Sequence, residues 1–129
     1  MRHEFDATPA SWHLGAVDAA GRIVATSSFY AVPYPLRPEA QPAVQLQFMA
    51  VDPMVQGRGI GSGVLTEAIR RLKATGTILL WASARDAALP FYARFGFTTI
   101  EWSGFTPSQT SRPHHIIELD LAPSGSPGH

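Results

Sequence analysis

The segment AVQLQFMAV, residues 43–51, alternates along its length. Val44, Leu46, Phe48 and Ala50 fall on one side, and Gln45, Gln47, Met49 and Val51 on the other. That is the period-2 pattern of a strand, and Asp52-Pro53 ends it. Upstream, Trp12–Val17 and Arg22–Tyr30 are rich in β-forming residues and flank the turn residues Asp18–Gly21, which predicts two strands around a turn. Pro33–Pro42 holds four prolines in ten residues and is a loop, because proline can enter neither a helix interior nor a central strand.

Downstream the period changes. Ile60, Val64, Leu65, Ala68, Ile69 and Leu72 recur at helical spacing, with Glu67, Arg70, Arg71 and Lys73 mainly opposite, so a helix is expected from Gly59 to Ala74 with Gly76 as its stop. Thr77–Ser83 is a short apolar run, as in a strand buried on both faces. Asp86–Gly96 reads as a second helix, provided that Pro90 falls in its first turn. Phe97–Trp102 and His115–Leu121 read as strands with a polar loop between them. Residues 1–121 read as one domain without internal repeats, and 122–129 as a disordered tail, because they are poor in apolar residues. Strand-helix-strand around residues 56–61 implies a right-handed parallel crossover, and the other strands can be antiparallel. The expected fold class is α+β (α/β), a mixed sheet with flanking helices.

Composition narrows the function classes. With no cysteine among 129 residues, thiol nucleophiles, disulfides and cysteine metal sites are excluded. Ten basic residues balance ten acidic ones, so no global field draws nucleic acid or an anionic membrane. No segment has signal-peptide or bilayer-spanning character, and a cytoplasmic location is expected. The histidines show no metal-ligand spacing, and no metal is expected.

The candidate chemistry sits in QGRGIG, Gln56–Gly61, where three glycines in five residues lie between a strand and a helix. The phosphate loop G-x-x-x-x-G-K-[ST] is excluded because no Lys-Ser or Lys-Thr follows. The dinucleotide fingerprint G-x-G-x-x-G is excluded because Ser62 or Val64 stands where its third glycine belongs. Two readings remain. Backbone N–H groups at a helix mouth, with Arg58 adding a cation, can hold an anion; or the glycines serve only a tight strand-to-helix turn.

The wider window VDPMVQGRGIGSGVLTEAI resembles the acetyl-coenzyme A signature of the GNAT superfamily of N-acetyltransferases, [QR]-x-x-G-x-[GA], matched by Gln56, Gly59 and Gly61. A second stretch, ALPFYARFGF, is similar to the superfamily's A-x-x-F-Y-x-x-x-G-F segment. The resemblance spans roughly residues 12–121. It implies a mostly antiparallel twisted sheet in which the strand ending at Val51 and the strand Thr77–Ser83 splay apart. It implies that acetyl-coenzyme A is the acyl donor, with its pyrophosphate on Gln56, Gly57, Arg58, Gly59, Ile60 and Gly61 and its pantetheine arm against the backbone of Met49 and Val51. Tyr92 matches the tyrosine that many members use as general acid; the alternative is a residue that packs its ring and hydrogen-bonds its hydroxyl locally. Arg85 is read either as a phosphate contact or as a solvated arginine.

Two departures from the superfamily pattern stand out. The strand before the glycine loop carries Gln45 and Gln47 where relatives place a glutamate, so the base is unassigned, with His114 and His115 as candidates by chemistry. Relatives begin with a strand and one or two helices that help to wall the acceptor pocket, whereas only about ten residues precede Trp12. The implied activity is N-acetyl transfer to a primary amine of a small molecule by direct attack in a ternary complex. The rival is a non-catalytic coenzyme A-binding or regulatory domain. An exposed sheet edge also raises a homodimer as an expectation.

Overall fold

The computed structural model describes residues 2–105 and 114–122, with the backbone alone over 101–105. Most of the polar loop after Trp102, and all of the expected tail except Ala122, lie outside the described residues. The strands are β1 (Arg2–Ala7), β2 (Ser11–Val17), β3 (Ile23–Tyr30), β4 (Ala43–Val51), β5 (Leu79–Arg85), β6 (Thr98–Phe105) and β7 (His114–Asp120). The helices are α1 (Ile60–Ala74) and α2 (Leu89–Ala93), with 3-10 turns at Pro53–Val55 and Asp86–Ala88. They build a seven-stranded sheet of order β1-β2-β3-β4-β5-β7-β6. All neighbouring strands pair antiparallel except β4 and β5, which are parallel because α1 carries the chain across between them. No described helix is long and apolar enough to cross a membrane.

Three sequence expectations change. The first ten residues contain a strand: RHEFDA alternates charged and aromatic positions and pairs with β2 from Arg2↔Val17 to Ala7↔Trp12. The Thr8 N–H donates to the Ser11 carbonyl at 2.8 Å, so β1 turns straight into β2 with no helix between them. Arg71 on α1, held by Glu67 one turn earlier, lies 4.6 Å over the Phe5 ring and ties this edge strand to the helix. The expected helix over 86–96 is instead a 3-10 turn followed by the short α2, with Pro90 in the first turn, where its missing N–H costs nothing.

The third change concerns β4, which does not alternate in one phase. Its register with β3 slips between Ser28↔Phe48 and Phe29↔Leu46, leaving Gln47 as the extra residue of a β-bulge. Before the bulge Val44 and Leu46 face the main core; after it Met49 and Val51 do. Phe48 is thereby turned to the opposite face and left 53% exposed.

The sheet has a core on each face. α1 lays Val64, Leu65, Ala68 and Leu72 against Leu14, Ala25, Phe29 and Leu80. The proline-rich segment covers the other face at β4 and β5, where Tyr34 and Ala40 pack on Ala43, Leu79 and Trp81. The Tyr34 hydroxyl donates to Glu118 at 2.9 Å, Arg37 donates to the same carboxylate at 3.1 Å, and the Trp81 indole N–H donates to the Val32 carbonyl at 3.0 Å. Burial raises the Tyr34 pKa, so the phenol stays a donor. Tyr34→Phe is expected to cost about 1 kcal/mol in urea unfolding, the net worth of one hydrogen bond whose acceptor keeps a second partner; an unchanged midpoint would mean that the loop is held by packing alone.

Candidate functional site

β4 and β5 pair from Ala43↔Leu79 to Leu46↔Ala82 and no further. Beyond that, β4 runs on to Val51 and β5 to Arg85 without touching as a ladder, which opens a gap in the middle of the sheet. The Asp52 N–H donates to the Val24 carbonyl across β3 at 2.8 Å. Alternation then turns the backbone groups of Val51 and Met49 away from β3 and into the gap. The Val51 carbonyl accepts from the Gln56 side-chain amide at 3.1 Å, which ties the glycine loop to the end of β4.

The loop then delivers α1. Asp52 caps the 3-10 turn by accepting from the Met54 N–H at 2.9 Å. Gly59 closes the loop as N-cap in a left-handed conformation, φ +76°, which glycine adopts without a Cβ clash. No side chain caps α1, and no acidic residue stands in its first turn, so its leading N–H groups and partial positive charge are left for something else to satisfy. Gly61 sits close to its neighbours: a Cβ there would stand 3.3 Å from Val51 Cγ2, which would have to give by a few tenths of an ångström, and in ordinary contact with Met49 Cε at 3.7 Å and the tip of Phe91 at 3.9 Å.

These elements enclose a cleft of about 610 Å³ lined by Met49, Val51, Gln56, Gly57, Gly59, Ile60 and Gly61 from the β4–α1 side, and by Phe91 and Tyr92 of α2 with the flanking Ala88 and Arg94. Arg58 is not among its lining residues; it faces a neighbouring groove with His3, Asp18 and Arg22. A second cavity of about 370 Å³ fills the gap itself, between Leu46–Met49 on β4 and Ala82–Arg85 on β5, with Ala88, Tyr92 and His114. Met49, Ala88 and Tyr92 line both, so the cleft on the helical face continues through the sheet.

Tyr92 is wedged edge-on between Phe91 and Phe97, with ring centroids 5.2 and 5.4 Å away. Burial alone raises its pKa, so the phenol keeps its proton. The two adjacent histidines diverge, as neighbours on a strand must. His114 lies opposite Arg85 and lines the cavity in the gap, on the face away from α1. His115 turns to the helical face, where its Nε2 meets the Asp86 carboxylate and fastens the start of the α2 segment to β7. The sequence reading overlooked Phe48 as a lining residue. The available signal was the loss of a clean period after Gln47, where Phe48, Met49 and Val51 are apolar on both parities.

With this geometry in place, the comparisons with known proteins are direct. The acetyltransferase (GNAT) family model matches residues 1–97. Among solved structures, the ribosomal-protein-S18-alanine N-acetyltransferase from Escherichia coli superposes with a TM-score of 0.74 at 19% identity, over 95% of this chain and 77% of that one. An acetyltransferase from Bacillus cereus gives 0.70 at 20% identity, over 85% and 72%. An aminoglycoside 6′-N-acetyltransferase complexed with coenzyme A gives 0.72 at 12% identity, over 89% and 75%. At these identities the superpositions speak for the fold, and the family model for descent: the chain belongs to the acetyltransferase (GNAT) family.

Proposed function

We propose that the protein transfers the acetyl group of acetyl-coenzyme A directly to a primary amine of a small molecule. The observation that carries this is the continuity of the two cavities. A cleft walled by an uncapped helix mouth passes into a gap in the sheet, and Tyr92 stands at the junction.

The residues fit the donor. Glycine N–H groups and the first turn of α1 suit a diphosphate, which needs several converging donors and close backbone approach. The backbone groups of Met49 and Val51 that face the gap suit the amides of a pantetheine arm, paired as an added strand would be. The donor supplies an activated thioester carbonyl, placed by this reading between β4 and β5. Tyr92 then holds a proton where the thiolate leaves. As the amine nitrogen bonds to the carbonyl carbon and the carbon–sulfur bond breaks, the phenol gives its proton to sulfur, and the amine loses one to base or water. The chain has no cysteine to carry an acyl group, so the direct route needs no covalent enzyme species.

Calorimetric titration with acetyl-coenzyme A, with dephospho-coenzyme A beside it, tests the reading. Micromolar binding is expected, followed by thiol release when a competent amine is added. Folded protein that binds neither would leave QGRGIG as a tight turn only.

A further inference from the structure

The acceptor must reach the gap from the face away from α1, because the helical face is occupied by the donor's cleft in the proposed function, on which this inference rests. Side chains that line the gap cavity on that face are Gln47, Phe48, Ser83, Arg85 and His114. Two features set the chemistry they can receive.

The first is charge. Among the described residues, no carboxylate lines the gap cavity. Beyond it, Glu4 and Asp6 line the adjoining groove with Phe48, while Asp86 is held by His115 on the opposite face and Glu118 by Tyr34 and Arg37. Arg85 has no ion-pair partner among the described residues. A guanidinium with no described carboxylate beside it in the cavity favours an acceptor that brings an anion.

The second is the bulge at Gln47. It presents Phe48 to solvent, 53% exposed, at the border between the gap cavity and a wider groove across β1–β4 that also touches Glu4, Asp6, His13, Thr26 and Ser28. No helix follows β1 to cover that groove. A large exposed ring contiguous with a reaction cavity is an apolar contact waiting for a ligand.

We propose that the acceptor is an amine bearing both a carboxylate and an apolar or aromatic body, the chemistry of an apolar α-amino acid, with its carboxylate on Arg85 and its side chain against Phe48. Polyamines and aminoglycosides lack the anion that Arg85 would hold.

The test is a thiol-release panel with acetyl-coenzyme A at saturation: phenylalanine, leucine, phenylethylamine, spermidine and an aminoglycoside. The amino acids should lead in kcat/KM, with phenylethylamine about 10- to 100-fold lower, the worth of one charge-assisted contact. Arg85→Gln should bring phenylalanine down to the level of phenylethylamine. Phe48→Ala should raise the KM for phenylalanine more than for alanine. Calorimetric affinity for acetyl-coenzyme A should be unchanged in both variants, which separates failure of the acceptor assignment from failure of the donor cleft. Spermidine or the aminoglycoside as best substrate, discrimination that survives Arg85→Gln, or donor binding with no turnover of any amino acid would each overturn the proposal.

Discussion

Replacing Tyr92 by Phe will slow turnover roughly 10²- to 10⁴-fold while leaving the KM for acetyl-coenzyme A close to its wild-type value. The ring contacts with Phe91 and Phe97 need no hydroxyl, so phenylalanine keeps the packing of α2 and removes only the proton. Loss of an interaction made only as the thiolate leaves lowers kcat and kcat/KM together. The pH profile gives an independent check. Because burial raises the Tyr92 pKa above its ordinary value near 10, the acid form persists through the alkaline range, and kcat should hold to at least about pH 10. A Tyr92→Phe variant with full activity would take the residue out of the chemistry and leave it a packing residue between two aromatic rings.

Gly61→Leu should weaken coenzyme binding at least about 100-fold, since displacing the ligand from even two charge-assisted hydrogen bonds at the helix mouth loses roughly 1.5–3 kcal/mol each. The new Cβ would crowd Val51 Cγ2 at 3.3 Å, and the rest of the side chain would occupy the cleft between β4 and Phe91. Overpacking of this kind costs about 1–3 kcal/mol of stability, so a thermal melt should accompany the titration to show that the protein is folded. Unchanged affinity in a folded variant would refute the cradle. A substitution at Arg58 is the useful contrast: it faces the groove of His3, Asp18 and Arg22, so Arg58→Ala should have little effect on coenzyme affinity.

Much of this protein is written locally. The helical period of 60–74, the strand period before Gln47 and the turn chemistry at Asp18–Gly21 are short-range patterns, and each produced the element it predicts, within a residue or two of its ends. The glycine loop and ALPFYARFGF carried the family resemblance for the same reason. Backbone approach at a helix mouth and a tyrosine on a short helix are demands that particular residue types must meet at fixed spacing.

What tertiary structure alone decided lies between strands. RHEFDA carries three charges in six residues and only one strongly apolar side chain, Phe5; it is held as β1 because β2 offers it a full antiparallel register and Arg71 covers that ring. The bulge at Gln47 is set by how β4 registers against β3, which no window of β4 contains, and that one slip moves Phe48 from the core to the face away from α1. Arg85 and His114, almost thirty residues apart in the chain, meet because β7 inserts between β5 and β6. The sequence by itself determined that a glycine loop at a helix mouth and a tyrosine on the segment after the next strand exist. Pairing between distant strands decided the gap that joins them and the side chains that wait on its far side, because hydrogen-bond register is a property of two strands and never of one.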